Sequence, residues 1–557
     1  MNWKKIWIGS LIVIIAGLGF YSFNRDTKNF EIAKNLEIYY SLFRELNMFY
    51  VDDVNPNNLV KTSIDEMLES LDPYTTFISE EQMEDFRFMT TGEYAGIGAL
   101  IGEQNGKIVI SEPYEGFPAQ KFGLKAGDII VKVENKPTED MTVEDVSNML
   151  KGAAKKPVRL NILRPGKNKP FEVNVVREKI VIDPIPYYGM IDDKTAYIRL
   201  SNFTANSGDV VKKAFLELKK NNPEALVLDM RSNPGGLLQE AVKIVNLFVP
   251  KGEEIVSTKG KVKQWDRTYT ATANPVDTTI RIAVLTNRMS ASASEIVAGA
   301  MQDLDRGIVV GSRTFGKGLV QTTRDLSYNT KLKVTTAKYY TPSGRCIQSL
   351  DYTHRNEDGS VGNVPDSLIS EFYTKKGRTV YDGGGIIPDV VLEPEQLSNL
   401  SAALITRHLI FDFATQFANE NESIAPPEEF EINGGIYNDF KAFVKEKDFE
   451  YESKSEQMLN ELKETAQKEK YYELASQEFE KMMQKLHPDA EKDLTVFSEE
   501  VKSLLKSEIV SRYYYQKGAI LATINEDEVI SKALTELKSP MSYHEYFDPG
   551  ITITMDR

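Results

Sequence analysis

The pattern of hydrophobic and polar positions divides the chain into five stretches of different texture. A short apolar run at the N-terminus is followed by charged helical periodicity, and then by short apolar runs separated by glycine and proline. Next come apolar strands alternating with helices, and finally a long charged helical stretch. The predicted regions are a signal or anchor at 1–25, a helical region at 26–90, a small mixed domain at 91–180, an α/β core at 181–400 and a helical extension at 401–557.

Within the α/β core the alternation predicts a largely parallel sheet. The predicted strands are Ala196–Leu200, Ala225–Asp229, Ile282–Thr286 and Ile308–Val310, and the predicted helices are Leu237–Val249 and Ala293–Leu304. The mixed domain has one helical stretch, Thr142–Leu150, and the C-terminal extension has a predicted break at Asn419–Pro427.

The apolar run spans residues 6–23 behind Lys4 and Lys5. Its length is near the minimum that spans a bilayer, so both an uncleaved anchor and a cleaved secretory signal remain open. The two lysines favour a cytoplasmic N-terminus, which would place the body of the chain outside the membrane.

Composition narrows the possible partners. The formal net charge of −15 argues against nucleic-acid binding. A single cysteine, Cys346, excludes an internal disulfide framework, and one cysteine with four histidines is too few for a usual structural zinc site. No metal or cofactor is expected.

A serine in a run of small residues is the first candidate for chemistry. Apolar positions after Ser292 recur at helical spacing, so a helix is predicted to begin there and to present free N–H groups to developing negative charge. The alternative is structural, because Ser292 and Glu295 also match an ordinary helix capping box.

Lys317 is the second candidate, since glycines on both sides allow the backbone to turn sharply and approach closely. If the following chain is extended, Lys317, Leu319 and Gln321 share one face, and Gln321 could orient the amine. A general base must be neutral, which requires a pKa about 3 below the reference near 10.4, or roughly 4 kcal/mol. The alternative is a surface lysine in a glycine turn.

The segment before Lys317 also resembles a phosphate-binding loop. Gly311 to Lys317 matches its first seven positions, but Gly318 stands where serine or threonine should hold magnesium. The residues after Gly318 look like a strand rather than the required helix, so nucleotide binding is not expected.

A third segment follows the predicted strand Ala225–Asp229. There Gly235 and Gly236 lie between a strand and a helix, which would free backbone N–H groups to face an oxyanion. The alternative is a plain strand–helix turn.

Together these segments resemble the carboxy-terminal processing peptidases, also called tail-specific proteases. The resemblance rests on Tyr197-Ile198-Arg199-Leu200, Leu228–Gly236, Ser290–Glu295, Thr314–Gly318, Tyr339–Arg345 and Gly384–Asp389 in that order. It implies a crotonase-like α/β core with a PDZ domain inserted ahead of it. It also implies that Ser292 is the nucleophile, Lys317 the general base and Gln321 the residue holding the lysine. The oxyanion donors would be the N–H of Ala293 and one from Gly235 or Gly236.

By the same resemblance, residues 91–180 are the PDZ domain. A peptide C-terminus would bind to loop N–H groups while its chain extends the sheet edge. The implied binding residues are Gly96, Ile97, Gly98, Ala99, Leu100 and Ile101 in the loop and strand, with Val143, Val146 and Leu150 on the helix.

The sequence therefore predicts an exported serine endopeptidase that binds unstructured, apolar protein C-termini and cleaves by a Ser–Lys mechanism with an acyl-enzyme. Its expected place is the periplasmic side of the bacterial inner membrane, and the helical regions are candidate sites for self-association or an adaptor. The alternative is a PDZ-based binding or scaffold protein whose peptidase core is latent or inactive.

Overall fold

The computed structural model describes residues 29–356, 358–393 and 396–549, so the predicted signal or anchor at 1–25 lies outside it. The chain divides into two compact units, one ending at Phe77 and the other beginning at Ile78. Within the described ranges, no helix has both the length and the apolar character needed to cross a membrane.

The described part of the first unit is mainly helical, as the sequence predicts. Helix α1 covers residues 29–49, α2 covers Pro56–Glu69, and a short strand β1 covers Thr76–Ile78. The side chain of Asn55 caps α2 by accepting a backbone N–H of its first turn at 3.0 Å.

The second unit opens with a small mixed domain. Its elements are α3 (Met83–Thr91), β2 (Glu93–Gly96), β3 (Ala99–Gln104), β4 (Lys107–Pro113), α4 (Pro118–Lys121), β5 (Ile129–Val133), β6 (Lys136–Pro137), α5 (Val143–Leu150), β7 (Pro157–Leu163), β8 (Phe171–Val176) and β9 (Glu178–Val181). Strands pair in the order β3-β4-β5-β7-β8, β6 pairs with β5, and β2 pairs with β9. The predicted helix is confirmed, and Thr142 caps it by accepting the Asp145 N–H at 3.1 Å.

A six-stranded sheet forms the α/β core. Its order is β10 (Tyr187–Met190), β11 (Thr195–Arg199), β12 (Ala225–Asp229), β15 (Arg281–Thr286), β16 (Ile308–Gly311) and β23 (Val390–Val391). Every neighbouring pair from β11 onward is parallel, and β10 pairs antiparallel at the edge. The parallel sheet and its four predicted strands are confirmed.

A second sheet joins residues 254–270 to the segment after Lys317. It contains β13 (Glu254–Gly260), β14 (Arg267–Thr270), β17 (Leu319–Asp325) and β18 (Lys331–Tyr340), all in antiparallel pairs. Two hairpins follow, β19 (Leu350–Arg355) with β20 (Val361–Asn363) and β21 (Glu371–Tyr373) with β22 (Thr379–Tyr381). Short 3₁₀ helices cover Lys219–Asn221, Lys263–Trp265 and Asp366–Leu368.

Helices cover both faces of the six-stranded sheet. On one face lie α6 (Ser207–Leu218), α7 (Leu238–Asn246) and α8 (Ala293–Asp303), packed in a buried cluster with side chains such as Ile198 and Val284. The alternate side chains, among them Tyr197, Val227 and Leu285, pack on the other face against helices from the end of the chain. Because successive strand residues point to opposite faces, the four central strands β11, β12, β15 and β16 are apolar on both sides.

The described part of the C-terminal region is made of helices and the loops that connect them. Its helices are α9 (Asn399–Thr406), α10 (Leu409–Glu420), α11 (Gly434–Glu446), α12 (Lys454–Lys468), α13 (Tyr472–Leu486), α14 (Ala490–Val496), α15 (Ser498–Thr523), α16 (Glu528–Lys538) and α17 (Pro540–Glu545). The predicted break falls between α10 and α11 and is confirmed. Helices α16 and α17 pack on the core sheet through Ile530, Ala533, Leu537 and Tyr543.

The small mixed domain is hydrogen-bonded to this helical region. The Gln104 side-chain amide donates to Asp412 of α10, and the Gln516 amide donates to Glu112 of β4 at 3.2 Å. The Gln120 amide donates to the hydroxyl of Tyr515, the residue at which α15 departs from helical geometry with φ 56° and ψ −160°.

Candidate active site

Ser292 lies on the turn between β15 and α8 in an unusual backbone conformation. Its φ is 56° and its ψ is −111°, which a residue with a side chain rarely adopts. The side chain is half-buried, whereas its neighbours Ala291 and Ala293 are buried. Backbone strain of this kind persists where the surrounding structure enforces it, and it is concentrated at functional sites.

The two flanking serines are anchors of this turn. The Ser290 hydroxyl donates to the Met230 carbonyl at 2.8 Å, and the Ser294 hydroxyl donates to the Asn233 carbonyl at 2.9 Å. Both serines have no exposed surface. They therefore fasten the Ser292 turn to the glycine-containing segment after β12, and Ser292 is the serine of the three that reaches the surface.

Glu295 joins Ser292 to the Lys317 segment. One carboxylate oxygen accepts the backbone N–H of Ser292 at 2.7 Å and that of Lys317 at 2.9 Å. The other oxygen accepts the Thr314 hydroxyl and the Gly316 N–H, each at 2.7 Å. The two residues predicted to carry the chemistry therefore meet, through their main chains, at a single oxygen atom.

Glu295 has no exposed surface. Burial raises the pKa of Glu295 to about 6, although its four hydrogen bonds act in the opposite direction. The carboxylate that holds the site together is thus ionised at neutral pH and accepts a proton in mildly acidic solution.

The carbonyl oxygen of Ser292 is held as well. It accepts the hydroxyl of Tyr339 at 3.1 Å and the N–H of Glu295 at 2.9 Å. Burial raises the pKa of Tyr339 well above its usual value, so the hydroxyl remains a donor. Both sides of the strained residue are therefore fixed by buried groups.

The glycines around Lys317 are required by close backbone contacts. A Cβ on Gly316 would lie 2.5 Å from the Ser349 side chain, and Gly316 has a φ of +85°. A Cβ on Gly318 would lie 2.9 Å from the Gln348 nitrogen. These contacts bring Lys317 to Glu295 and leave its side chain half-buried.

Gln321 lies on strand β17, which begins at Leu319, after Lys317. The register of β17 with β18 shifts between Val320 and Gln321, and the extra residue of this bulge, Thr336, lies on β18. Leu319 and Gln321 therefore share one face of β17 as predicted from alternation, whereas the position of the Lys317 side chain on that face stays a prediction. The Gln321 amide nitrogen donates to the Thr335 hydroxyl at 3.1 Å.

Residues 231–236 after β12 contain the predicted oxyanion donors Gly235 and Gly236, and we refer to them as the donor loop. A Cβ on Gly235 would lie 2.7 Å from Ser292 Cβ and 2.8 Å from the Ala293 nitrogen, so only glycine fits against the nucleophile turn. The Gly235 N–H donates to the Asn233 side chain at 2.9 Å. Among the described residues the Gly236 N–H has no acceptor, which makes Gly236 the stronger candidate of the two predicted glycines.

A buried charge cluster supports the start of the donor loop. Asp229 accepts hydrogen bonds from Tyr197 at 2.8 Å, from Arg199 at 2.6 Å and from two nitrogens of the Arg231 guanidinium, the shorter at 2.7 Å. Burial alone would raise the pKa of Asp229, but the guanidinium groups of Arg231 and Arg199 hold it well below its usual range. The carboxylate is therefore fully ionised and fixes both arginines.

The predicted peptide-binding loop lies between β2 and β3. Burial raises the pKa of Tyr94, while the N–H groups of Ala99 and Gly98 face its hydroxyl and act to lower it. Leu100 on β3 is half-exposed, as a groove residue should be. Gly96 ends β2 and Ile101 lies on β3, whereas Ile97 is 2% exposed and packs in the core of the small domain.

Helix α5 carries the residues predicted to line the peptide-binding groove, and the structure corrects the prediction for one of them. Val146 has no exposed surface and lies in the core of the small domain, so the prediction that it lines the groove is wrong. It faces inward because α5 must bury one stripe to pack on the sheet. Val143 is partly buried, and Leu150 keeps 5% exposure at the end of the helix.

Sequence reasoning missed the central role of Glu295 and the cluster around Asp229. The sequence indicates Glu295 only as part of a capping box, and its carboxylate does accept the Ser292 N–H as such a box requires. The available signal was an acidic residue in a segment of small residues next to a candidate nucleophile. For Asp229 the signal was an acidic residue at the end of an apolar strand, with Arg231 two positions later.

Comparisons with known protein families define the class of protein to which this chain belongs. The model of Peptidase family S41 matches residues 194–355, that of the PDZ domain matches 109–164, and that of the C-terminal helical domain of probable PDZ-proteases matches 400–537. The core, the small mixed domain and the helical region thus correspond to parts of PDZ-containing S41 peptidases.

Relatives identify the family more closely. The chain is 36% identical over 324 residues to a carboxy-terminal-processing protease of Bartonella bacilliformis, covering 58% of this chain and 74% of that protein. It is 34% identical over 349 residues to a probable CtpA-like serine protease of Staphylococcus aureus, covering 62% and 69%. It therefore belongs to the carboxy-terminal-processing proteases, and it is a serine protease with a PDZ domain. A solved photosystem II D1 C-terminal processing protease is 30% identical, with a TM-score of 0.36 over 64% of this chain and 87% of that one.

Proposed function

We propose that this protease is an endopeptidase that cleaves proteins near an unstructured C-terminus by a Ser–Lys mechanism. The observation that carries the proposal is the Glu295 carboxylate, whose one oxygen binds the main chains of both Ser292 and Lys317. A lone capping serine would have no reason to share its carboxylate with a glycine-flanked lysine.

In the proposed reaction, Ser292 Oγ attacks the scissile carbonyl carbon while the neutral Lys317 amine accepts the hydroxyl proton. The carbonyl oxygen becomes an oxyanion, and the N–H groups of Ala293 and Gly236 donate to it. Collapse breaks the C–N bond, and Lys317 passes its proton to the leaving amine. Water then hydrolyses the acyl-enzyme, again with Lys317 as base.

Gln321 is proposed to fix the lysine rather than to react. Its amide nitrogen is anchored on Thr335, which leaves the amide oxygen as a fixed acceptor. A donor amine held by such an acceptor keeps one orientation while its lone pair faces the serine.

The PDZ domain is proposed to select the substrate. A free carboxylate would bind the N–H groups of Gly98 and Ala99, displacing the Tyr94 hydroxyl that they now face. The preceding apolar residue would then contact Leu100 and Val143.

We also propose that the protein is exported and works outside the cytoplasm, on the periplasmic side of the bacterial inner membrane. The apolar run at 6–23 and the lysines before it support this, whether the run is cleaved or stays as an anchor.

Cleavage of a disordered protein with an apolar C-terminus tests the proposal. The full-length chain should release defined fragments, and Ser292→Ala should release none. Equal turnover by the two proteins would remove Ser292 from the mechanism. Inactivity of the full-length chain with every tail tested would favour a binding protein with a latent core.

A further inference from the structure

Two carboxylates hold Arg231, the first residue of the donor loop. One is two residues away in sequence, and the other comes from the C-terminal helical region. One side of the Arg231 guanidinium is paired with Asp229 at the end of β12. The other side is paired with Asp527 at 2.7 Å. The Arg231 and Asp527 side chains are only 15% and 25% exposed, so solvent weakens this pair less than it weakens a surface ion pair.

Asp527 is supplied by the C-terminal helical region. It is the N-cap of α16 and accepts the Ile530 N–H at 3.0 Å. The linker just before it is fixed, because Glu526 accepts a hydrogen bond at 2.7 Å from Lys506, which is 5% exposed. Helix α16 itself is buried against the core sheet through Leu537, which is 1% exposed. Asp527 is therefore presented to Arg231 from a rigid support.

Arg231 leads directly into the donor loop. Its carbonyl accepts the Arg199 guanidinium at 2.9 Å, and the next residue, Ser232, takes a left-handed φ of 59°. The Asn233 carbonyl then accepts the Ala291 N–H at 3.0 Å, one residue before Ser292. A shift of Arg231 would thus be passed through the loop to Gly236 and the nucleophile turn.

We propose that Asp527 is a positioning residue of the active site: through Arg231 it holds the donor loop so that the Gly236 N–H meets the oxyanion. The C-terminal helical region would then complete the catalytic geometry of the core. This inference rests on the proposed function, since it assumes that the donor loop stabilises the reaction intermediate.

The direction in which kcat changes when the Asp527 charge is removed distinguishes a positioning role from a long-range electrostatic effect. Removing a negative charge near a developing oxyanion would raise kcat if only long-range charge mattered. Losing the partner that fixes Arg231 would lower kcat, because the donors would no longer be preorganised. The proposed tail-binding residues lie in the small mixed domain and not in the donor loop, so KM should change little.

The test compares Asp527→Asn and Asp527→Ala in the full-length chain. Asparagine can still cap α16, whereas alanine cannot. Both variants should lower kcat about tenfold or more, as expected for the loss of a charge-assisted hydrogen bond, with KM within about twofold of wild type. Only the alanine variant should also lower the melting temperature. Asp489→Asn, at the N-cap of α14, is the matched control and should behave as wild type.

Hydrogen exchange gives a readout that does not depend on turnover. Backbone exchange in the peptide covering residues 229–237 should be faster in Asp527→Asn than in wild type, and unchanged in Asp489→Asn. A kcat for Asp527→Asn that equals or exceeds wild type, or that follows melting temperature across the variants, overturns the inference. Unchanged exchange overturns it as well. Wild type and Ser292→Ala with equal activity would instead refute the proposed function, and exchange would still decide the role of Asp527.

Discussion

At the scale of single residues, the buried carboxylate of Glu295 links the two halves of the proposed site. Its two oxygens accept four hydrogen bonds from the Ser292 turn and the Lys317 segment. A buried carboxylate without these donors would be costly, and the donors without a carboxylate would be left unpaired. The strained conformation of Ser292 therefore depends on the ionised state of Glu295.

Glu295→Gln should disrupt the site while nearly keeping its volume. One end of the amide is a donor, so it would face either the Ser292 and Lys317 N–H groups or the Thr314 hydroxyl and the Gly316 N–H. We expect kcat/KM to fall about 100-fold and the free energy of unfolding to fall by about 1 to 3 kcal/mol. Glu144→Gln, on the exposed first turn of α5, should leave both quantities unchanged.

The pH dependence of kcat/KM should reflect the ionisation of Glu295. Because burial raises the pKa of Glu295 to about 6, protonation removes acceptors as the pH falls through that value. We expect kcat/KM to decline below about pH 6 in wild type. A profile that stays flat from pH 7 to pH 5 would contradict the role assigned to Glu295.

Lys317 is the residue on which proton transfer depends. Lys317→Ala should abolish turnover, and Lys317→Arg should do the same because a guanidinium stays protonated. In wild type, kcat/KM should rise with pH as the amine loses its proton. A Lys317→Ala variant with the wild-type rate would remove lysine from the mechanism.

The sequence identified Ser292 and Lys317 as candidates, but it did not predict that Glu295 binds both of them. Small residues around a serine and glycines around a lysine are local patterns, and local patterns can be recognised. The sharing of Glu295 arises from a contact between segments that are distant in sequence. The bulge in the pairing of β17 with β18 could not be predicted either, because its extra residue, Thr336, lies on the partner strand.

At the scale of elements, the end of β12 supports the donor loop through a compact charge cluster. Asp229 has no exposed surface, and Tyr197, Arg199 and Arg231 all donate to it. Removing the shared acceptor would leave the Arg199 guanidinium without its carboxylate, and the Arg231 guanidinium with Asp527 alone, in a shielded site.

Asp229→Asn should therefore cost about 3 to 5 kcal/mol in the free energy of unfolding, measured by urea denaturation at pH 7. The pKa of Asp229 is lowered in the folded state, so its contribution is present above the unfolded pKa of about 3.9. That contribution is lost as the pH falls toward the folded value. The difference between wild type and variant should shrink in strong acid, and a constant difference would contradict the ionised cluster.

Periodicity predicted the core strands and helices to within a few residues. The predicted Ile282–Thr286 and Ala293–Leu304 became Arg281–Thr286 and Ala293–Asp303. The second sheet was not predicted, because its half-exposed antiparallel strands lack a continuous apolar run and pair across long sequence distances.

At the scale of the whole molecule, helices from the end of the chain complete the core. Helices α16 and α17 cover the sheet face formed by Tyr197, Val227 and Leu285. The predicted C-terminal extension is thus partly a layer of the peptidase core. Its amphipathic pattern showed that one face is buried but not which surface buries it.

Leu537→Ala should destabilise the protein as a core substitution does. Leu537 is 1% exposed between α16 and the sheet, so we expect a loss of about 2 to 5 kcal/mol in the free energy of unfolding. Leu474→Ala is the control, since Leu474 is 81% exposed and should have little effect. Equal effects of the two substitutions would show that α16 is not part of the core.

The central claim, that Ser292 forms an acyl-enzyme with Lys317 as base, is tested most directly by trapping the intermediate. Substrate is mixed with the full-length chain, quenched in acid within one turnover, and the digest is analysed by mass spectrometry. We predict an acyl adduct on the peptide that contains Ser292 in wild type, and no adduct in Ser292→Ala or Lys317→Ala. Cleavage that proceeds at the wild-type rate in Ser292→Ala, with no adduct on this peptide in wild type, would contradict the account.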